Sequence, residues 1–206
     1  MGNEEHWESV YRQKSASEVS WYRAHLEKSL ELIARCDLPP EAHIVDIGGG
    51  ASTLVDDLLD RGHTKLTVVD LAEAALEQSK ARLADRAASV TWMTGNATAP
   101  LLEPSSVDLW HDRAVFHFLT DAADRTAYLE QVTRCVRPGG YVLIGTFAQD
   151  GPERCSGLSV ARYSPSEIAA VLGDEFESIA EDREVHRTPW GSVQNFSYAL
   201  CRRRAH

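Results

Sequence analysis

Cysteine is scarce and scattered in this chain. Cys36, Cys135, Cys155 and Cys201 stand far apart with no C-x-x-C pair, so neither a zinc site nor a disulfide framework is indicated. Reduced thiols in a cytoplasmic protein are the expected state, and no metal is expected. Positive charge is in deficit as well: Lys and Arg number 21 against 31 Asp and Glu, a formal net charge of -10. That balance argues against a nucleic-acid partner, because such proteins present a basic face. The one basic cluster, Arg202-Arg203-Arg204, reads as a solvated tail ahead of an anion patch. Long apolar runs are missing too. Nothing approaches the ~20 residues that cross a bilayer, and Met1-Gly2-Asn3-Glu4-Glu5-His6-Trp7 lacks the basic and apolar regions of a signal peptide. No internal repeat or low-complexity linker breaks the chain.

What remains is an ordinary globular composition, 43% hydrophobic and 25% charged over 206 residues, enough for one domain with a proper core. The chain is organised around Ile44-Val45-Asp46-Ile47-Gly48-Gly49-Gly50-Ala51-Ser52-Thr53. An apolar run breaks into three glycines and resumes as an amphipathic segment (Leu54, Val55, Leu58, Leu59). That is a buried strand, a tight turn and a helix start, where a ligand can approach bare backbone and unpaired N–H groups.

Around this turn, strands alternate with helices. Upstream lie a short amphipathic turn at His6–Tyr11 and a helix from about Arg23 to Arg35. The polar connector between them carries Trp21-Tyr22, which either plugs the core or covers a site. Downstream come strands at Lys65–Asp70, Val90–Met93, Val107–Trp110 and Tyr141–Phe147, with helices at about Ala72–Arg86 and Ala122–Val136. Pro138-Gly139-Gly140 is expected to stop the last of these helices. A capped helix follows at Ile168–Leu172, then two strand-like runs at about Phe176–His186 and Ser192–Arg202. Their short connector makes them antiparallel. Alternation of this kind predicts a parallel sheet covered on both faces.

Ligands of such sheets sit beyond the carboxyl ends of the strands, where the strand order reverses. Those ends offer Gly48-Gly49-Gly50, Asp70, Gly95-Asn96-Ala97 and His111-Asp112-Arg113. An acid about 20 residues past a glycine turn is placed to accept hydrogen bonds from ribose hydroxyls, so a ribose-containing cofactor follows. A dinucleotide oxidoreductase would want a third glycine where Thr53 stands, and a phosphate-loop NTPase would want Gly-Lys-Ser/Thr, which is absent.

With these residues in place, the chain resembles the class I S-adenosylmethionine-dependent methyltransferases. Val45-Asp46-Ile47-Gly48-Gly49-Gly50 is similar to the family's first motif, Asp70 to its ribose-binding acid, and Gly95-Asn96-Ala97 to its adenine-contacting element. Val107-Asp108-Leu109-Trp110 resembles the fourth-strand motif, and Val136-Arg137-Pro138-Gly139-Gly140 the lead into strand five. Asn96 departs from the usual Asp, keeping an acceptor oxygen and losing the charge. The N-terminal Trp7…Tyr11…Trp21-Tyr22 also resembles segments that precede the fold in small bacterial methyltransferases and in relatives acting on protein lysines.

The resemblance implies an α/β, three-layer α/β/α Rossmann-like sandwich with a mostly parallel seven-stranded sheet ending in an antiparallel hairpin. It implies one domain over 1–206: an N-terminal helical lid at 1–40, a cofactor core at 41–150, and a substrate-side loop, helix and hairpin at 151–206. S-adenosyl-L-methionine is the implied cofactor. Its implied contacts are Trp21, Asp46, Gly48, Gly49, Gly50, Asp70, Leu71, Asn96, Ala97 and His111.

Methyl transfer from a sulfonium is an in-line displacement that needs mainly alignment in a dry pocket. Candidates around the methyl group are Asp112, Arg113 and His117 after the fourth strand, Tyr22 from the lid, and Cys155, where activation of the thiol by Arg154 competes with the default of an inert lone cysteine. For Asp112 and Arg113 a plain ion pair is the competing role, and His186, Arg187, Trp190 and Gln194 default to a solvated turn. The absence of a cap domain favours a small thiol, amine or carboxylate acceptor, with a protein lysine as the alternative. A non-catalytic cofactor-binding module would lack the polar run from His111 to His117.

Overall fold

The computed structural model describes residues 4–205. Positions 1–3 and 206, the ends of the expected single domain and the start of the segment tested for a leader, lie outside the described residues. The chain opens with α1 (Glu4–Gln13), whose Tyr11 is buried, and a 3-10 turn (Ala16–Glu18). There Ser15 and Glu18 form a capping box. Helix α2 (Glu27–Ala34) begins four positions later than the sequence periodicity predicts, since Arg23–Leu26 are drawn out as a connector.

Then β1 (His43–Ile47), α3 (Leu54–Asp60), β2 (Lys65–Asp70), α4 (Glu73–Leu83), β3 (Val90–Thr94), β4 (Val107–Arg113), α5 (Ala122–Cys135) and β5 (Val136–Phe147) alternate as expected. A two-stranded hairpin that the sequence reading lacks, β6 (Arg154–Cys155) with β7 (Leu158–Ser159), comes next. The chain closes with α6 (Pro165–Val171), β8 (Phe176–Arg187) and β9 (Val193–Arg203).

The main sheet has seven strands in the order β3-β2-β1-β4-β5-β9-β8. β1 to β5 pair in parallel, and β9 runs antiparallel to both β5 and β8. Strand pleating divides the core between the two faces. On β4, Leu109 joins the cluster of Leu30, Leu58 and Leu143, while the next residue, Trp110, joins Tyr128, Val132 and Ile168 on the far side. Two covered faces explain why the parallel strands are nearly continuous apolar runs. Strand order reverses between β1 and β4, and the crevice there receives the glycine turn.

Two expectations are corrected. Pro138-Gly139-Gly140 does not separate α5 from its strand; it lies inside β5 as a bulge. Val136 pairs with Val107 and Tyr141 with Leu109, so three extra residues are looped out. Gly139 takes φ +79 there, and proline, which has no N–H to give a ladder, suits the interruption. The arginine cluster is not a free tail. Arg203 lies on β9 and donates to the Val136 carbonyl at 2.6 Å and to the Thr133 carbonyl, while Arg204 donates to the Asp174 carbonyl at 3.0 Å. Orphan carbonyls at the end of α5 supply the acceptors. Among the described residues no helix is long and apolar enough to cross a membrane.

Candidate functional site

β1 delivers the chain into the glycine turn. Gly48 donates to the Val69 carbonyl at 2.7 Å and adopts φ +68. A side chain there would collide with Val115 on the loop after β4, so bare backbone is required twice over. At Gly50 a Cβ would lie 2.6 Å from Asp70 Oδ2 and 2.5 Å from the Ala75 Cβ. The turn can therefore approach the end of β2 only without a side chain.

Asp70 ends β2 as a buried acid. Its Oδ2 accepts the Gly50 N–H at 3.0 Å and its Oδ1 the Ala72 N–H at 2.9 Å. Burial pushes its carboxyl up to about 6, against the pull of these two N–H groups. Beyond the strand ends opens a cavity of ≈ 620 Å³, within the usual range of small-molecule sites. Asp70, Leu71, Asn96 and Ala97 line it, and so do Trp21, Arg113 and Cys155. Asn96 Oδ1 accepts the Thr98 N–H at 3.0 Å, which holds its loop and leaves a second lone pair for a ligand.

Beside the glycine turn lies a smaller chamber of ≈ 40 Å³, lined by Tyr22, Arg23, Asp46, Gly49 and Arg113. Asp46 is oriented by a buried chain: its Oδ1 meets His111 Nδ1 at 2.7 Å, and His111 Nε2 meets Ser29 Oγ at 2.9 Å. The other carboxylate oxygen, Oδ2, is buried without a partner. Arg113 is fixed differently. Its Nε donates to the Tyr198 hydroxyl at 2.9 Å, Nη1 donates to the Trp21 carbonyl at 3.1 Å, and the guanidinium sits 4.3 Å over the Phe196 ring. Nη2 has no hydrogen bond; its carboxylate neighbour, Glu184, is 3.8 Å away. The unpartnered Asp46 oxygen and the Arg113 guanidinium, whose Nη2 keeps only the longer ion pair to Glu184, belong to residues that line the same chamber. An amino-acid zwitterion fits that donor set, its ammonium on Asp46 and its carboxylate on Arg113.

The remaining sequence candidates separate. Asp112 is buried and takes no part in the cavity wall. It accepts the N–H groups of Val115 (2.9 Å) and Phe116 (3.1 Å) and the Tyr128 hydroxyl (2.6 Å), and burial pushes it up to about 6. These bonds hold the turn through Ala114, which takes φ +71. Asp112 and Arg113 do not pair with each other. His117 is buried, accepts the Phe147 N–H at 3.2 Å through Nδ1, and is kept neutral because burial pushes it down to about 3. Tyr22 borders only the small chamber.

Cys155 does line the cavity, with a thiol that Arg154 does not activate. Arg154 donates to the Gly157 carbonyl at 3.2 Å through Nε, and burial pushes the Cys155 thiol up to about 12. His186 is no solvated turn residue either. It is fully buried, with Nε2 2.6 Å from the Ser20 carbonyl, whereas Trp190 is exposed.

Trp7, Tyr11 and Phe118 also line the cavity. Trp7 and Tyr11 stand four apart on α1, and that helical spacing was the available signal. Phe118 had none, because its place depends on the turn that Asp112 shapes.

A family model described as a methyltransferase domain matches residues 44–140. The eEF1A lysine and N-terminal methyltransferase of Bos taurus is 27% identical over 144 residues, covering 69% of this chain and 20% of its own length. The chain thus spans about a fifth of the curated relatives it first matches. Among solved structures, Burkholderia thailandensis 1,6-didemethyltoxoflavin-N1-methyltransferase, with its bound 1,6-didemethyltoxoflavin and S-adenosylhomocysteine, aligns at TM-score 0.70. That match has 22% identity and covers 98% of this chain and 84% of that one. A structure from work on converting a disulfide bond into a thioacetal group during echinomycin biosynthesis aligns at TM-score 0.78, with 16% identity, over 97% and 92% of the two chains.

Proposed function

We propose that the chain is a class I S-adenosylmethionine-dependent methyltransferase, a reading that the methyltransferase-domain match over residues 44–140 supports, and that it methylates a small-molecule thiol, amine or carboxylate by in-line displacement. When bound, S-adenosylmethionine supplies a methyl group on a sulfonium that is already a good leaving group. The protein's task is then to position and to exclude water, effects that can supply roughly 7–11 kcal/mol.

In this reading Asp70 accepts the ribose hydroxyls, Leu71, Asn96 and Ala97 border the adenine, and Gly48-Gly49-Gly50 form a backbone shelf. Asp46 and Arg113 take the amino-acid end, and His111 and Ser29 act through Asp46 as positioning residues. The proposed division is a helical lid (4–40), a cofactor core (41–150) and a substrate-side segment (151–205). The four buried, unpaired cysteines suit a reducing cytoplasm.

The observation that carries the small-molecule reading is the roof. Trp7 and Tyr11 from α1, with Trp21 from the connector, pack against one another and line the same cavity as Asp70. A methyl group delivered beneath that roof lies inside a chamber, not on an open docking face. The name of the Bos taurus relative supports the other reading, a protein lysine or N-terminal amine.

A transfer screen with labelled S-adenosylmethionine, run on small acceptors and on cell-extract protein, decides between them. Label in small molecules supports the proposal, and label confined to protein overturns it. Calorimetry with S-adenosylhomocysteine and NAD tests the cofactor assignment, and binding of NAD alone would refute it.

A further inference from the structure

Resting on the methyltransferase reading, we propose that the acceptor atom is an amine nitrogen, held in an aromatic corner of the cavity. Trp7, Tyr11, Trp21 and Phe118 all line it; Trp21 and Phe118 stand steeply to Trp7, and Trp21 to Tyr11, while Trp7 and Tyr11 are tilted by only 33°. Trp7 and Phe118 have centroids 5.1 Å apart at 74°, Trp7 and Trp21 5.7 Å at 80°, and Tyr11 and Trp21 6.3 Å at 78°. Rings so disposed wall a corner, and ring faces attract cations. The carboxylates of Asp70 and Asp124 line the same cavity. The one arginine in the wall, Arg113, is drawn to the glycine-turn side by the Trp21 carbonyl, Tyr198 and Glu184.

Charge decides among the three acceptor classes. With a neutral amine, the nitrogen lone pair forms the N–C bond as the C–S bond breaks and its electron pair returns to sulfur. The product ammonium then releases a proton to water. One positive charge persists throughout, moving from sulfur to nitrogen, and the rings and carboxylates stabilise it at both ends of the transfer. A thiolate or carboxylate would enter as an anion, stripped of water against the same ring faces and acids. Its reaction would annihilate the charge that this wall favours.

A thiol entering protonated would need a base. Asp112 and His117 are buried outside the cavity wall, and of the acids within it Asp70 is held by two backbone N–H groups and Asp124 is exposed on α5. An amine sheds its ammonium proton to water before transfer and then needs none.

Two measurements on the full chain test this. In the complex with S-adenosylhomocysteine, phenyltrimethylammonium should bind about tenfold tighter than its neutral isostere tert-butylbenzene, the order of one cation–π contact. Phe118→Leu should reduce that preference, and Phe118→Tyr, which keeps the ring face, should retain it; thermal melting confirms that each variant is folded. With S-adenosylmethionine, 2-phenylethylamine should release S-adenosylhomocysteine faster than 2-phenylethanethiol or 3-phenylpropanoate. Equal binding of the two isosteres, or methyl label on sulfur or carboxylate oxygen, overturns the proposal. Failure of S-adenosylhomocysteine to bind in the same titration refutes the methyltransferase reading instead. Label recovered on protein amines leaves the amine inference standing and removes only the small-molecule reading.

Discussion

Asp70 and Gly50 form one structural unit: the acid accepts the Gly50 N–H at 3.0 Å, and a Cβ at position 50 would sit 2.6 Å from the same oxygen. The acceptor for a ribose and the backbone shelf beside it are therefore positioned together. Asp70→Ala removes a charged acceptor from a ligand and leaves two backbone donors unpaired. Hydrogen bonds to charged groups contribute about 1.5–3 kcal/mol, so S-adenosylhomocysteine affinity should fall roughly 10–100-fold by calorimetry. Unchanged affinity would remove Asp70 from the site.

The same residue predicts a pH dependence. Its carboxyl is raised from 3.8 to about 6 in the folded protein, so ionising it opposes folding, and its stabilising contribution declines as pH rises through that window. Ligand binding runs the other way, because the ionised carboxylate is the better acceptor. Affinity for S-adenosylhomocysteine should rise with pH through about 6 and then level. Asp112 titrates near the same value, so Asp70→Asn is the control. A flattened profile in that variant assigns the effect to Asp70, and an unchanged one does not.

Gly48→Ala places a side chain at φ +68 against Val115. Strain of this kind costs about 1–3 kcal/mol, and at this chain length about 2 kcal/mol lowers Tm by roughly 4–8 °C. Differential scanning fluorimetry reads it, and a wild-type Tm would show that the turn relaxes freely.

Arg113→Met should be among the most destabilising single changes. It strips one of two cations from Glu184, whose side chain is only 10% exposed and which keeps Arg23 at 3.4 Å, and it frees the Trp21 carbonyl and leaves the Tyr198 hydroxyl without its arginine. Breaking a buried pair on one side costs about 3–5 kcal/mol. Urea denaturation should show the loss, with partial recovery on adding Glu184→Gln; no recovery would place the effect in packing on Phe196.

Cys155 should be inert. A thiol held at about 12 is ionised in about one molecule in 10,000 at pH 8. Iodoacetamide at that pH should leave Cys155 unmodified in the native protein and alkylate it after denaturation, as read by peptide mass spectrometry. Rapid native alkylation would contradict this placement.

Much of the fold is legible in the sequence because local rules govern it. Hydrophobic runs ending in Asp46–Gly50 and Asp70 mark β1 and β2, and Ser164 with Glu167 announces the start of α6. What stays hidden depends on partners far along the chain. Asp112 and Arg113 are adjacent, yet one is spent on Tyr128 and the other on Tyr198 and Trp21. Neighbours in a strand point to opposite faces, so adjacency predicts no shared role. Cys155 beside Arg154 fails for a similar reason, since burial outweighs the nearby charge. His186 shows the limit most plainly: its partner, the Ser20 carbonyl, is 166 positions upstream.

That distance orders events during synthesis. The glycine turn, Asp70 and the loop after β4 all emerge while β8 has yet to be made. Ser20, Trp21 and Arg113 are made early, but Glu184, His186 and Tyr198, which fasten them, come only near the end. A nascent chain therefore carries the shelf before it carries the fastened roof. The roof is fully tied down only in the chain whose last hairpin has joined the sheet.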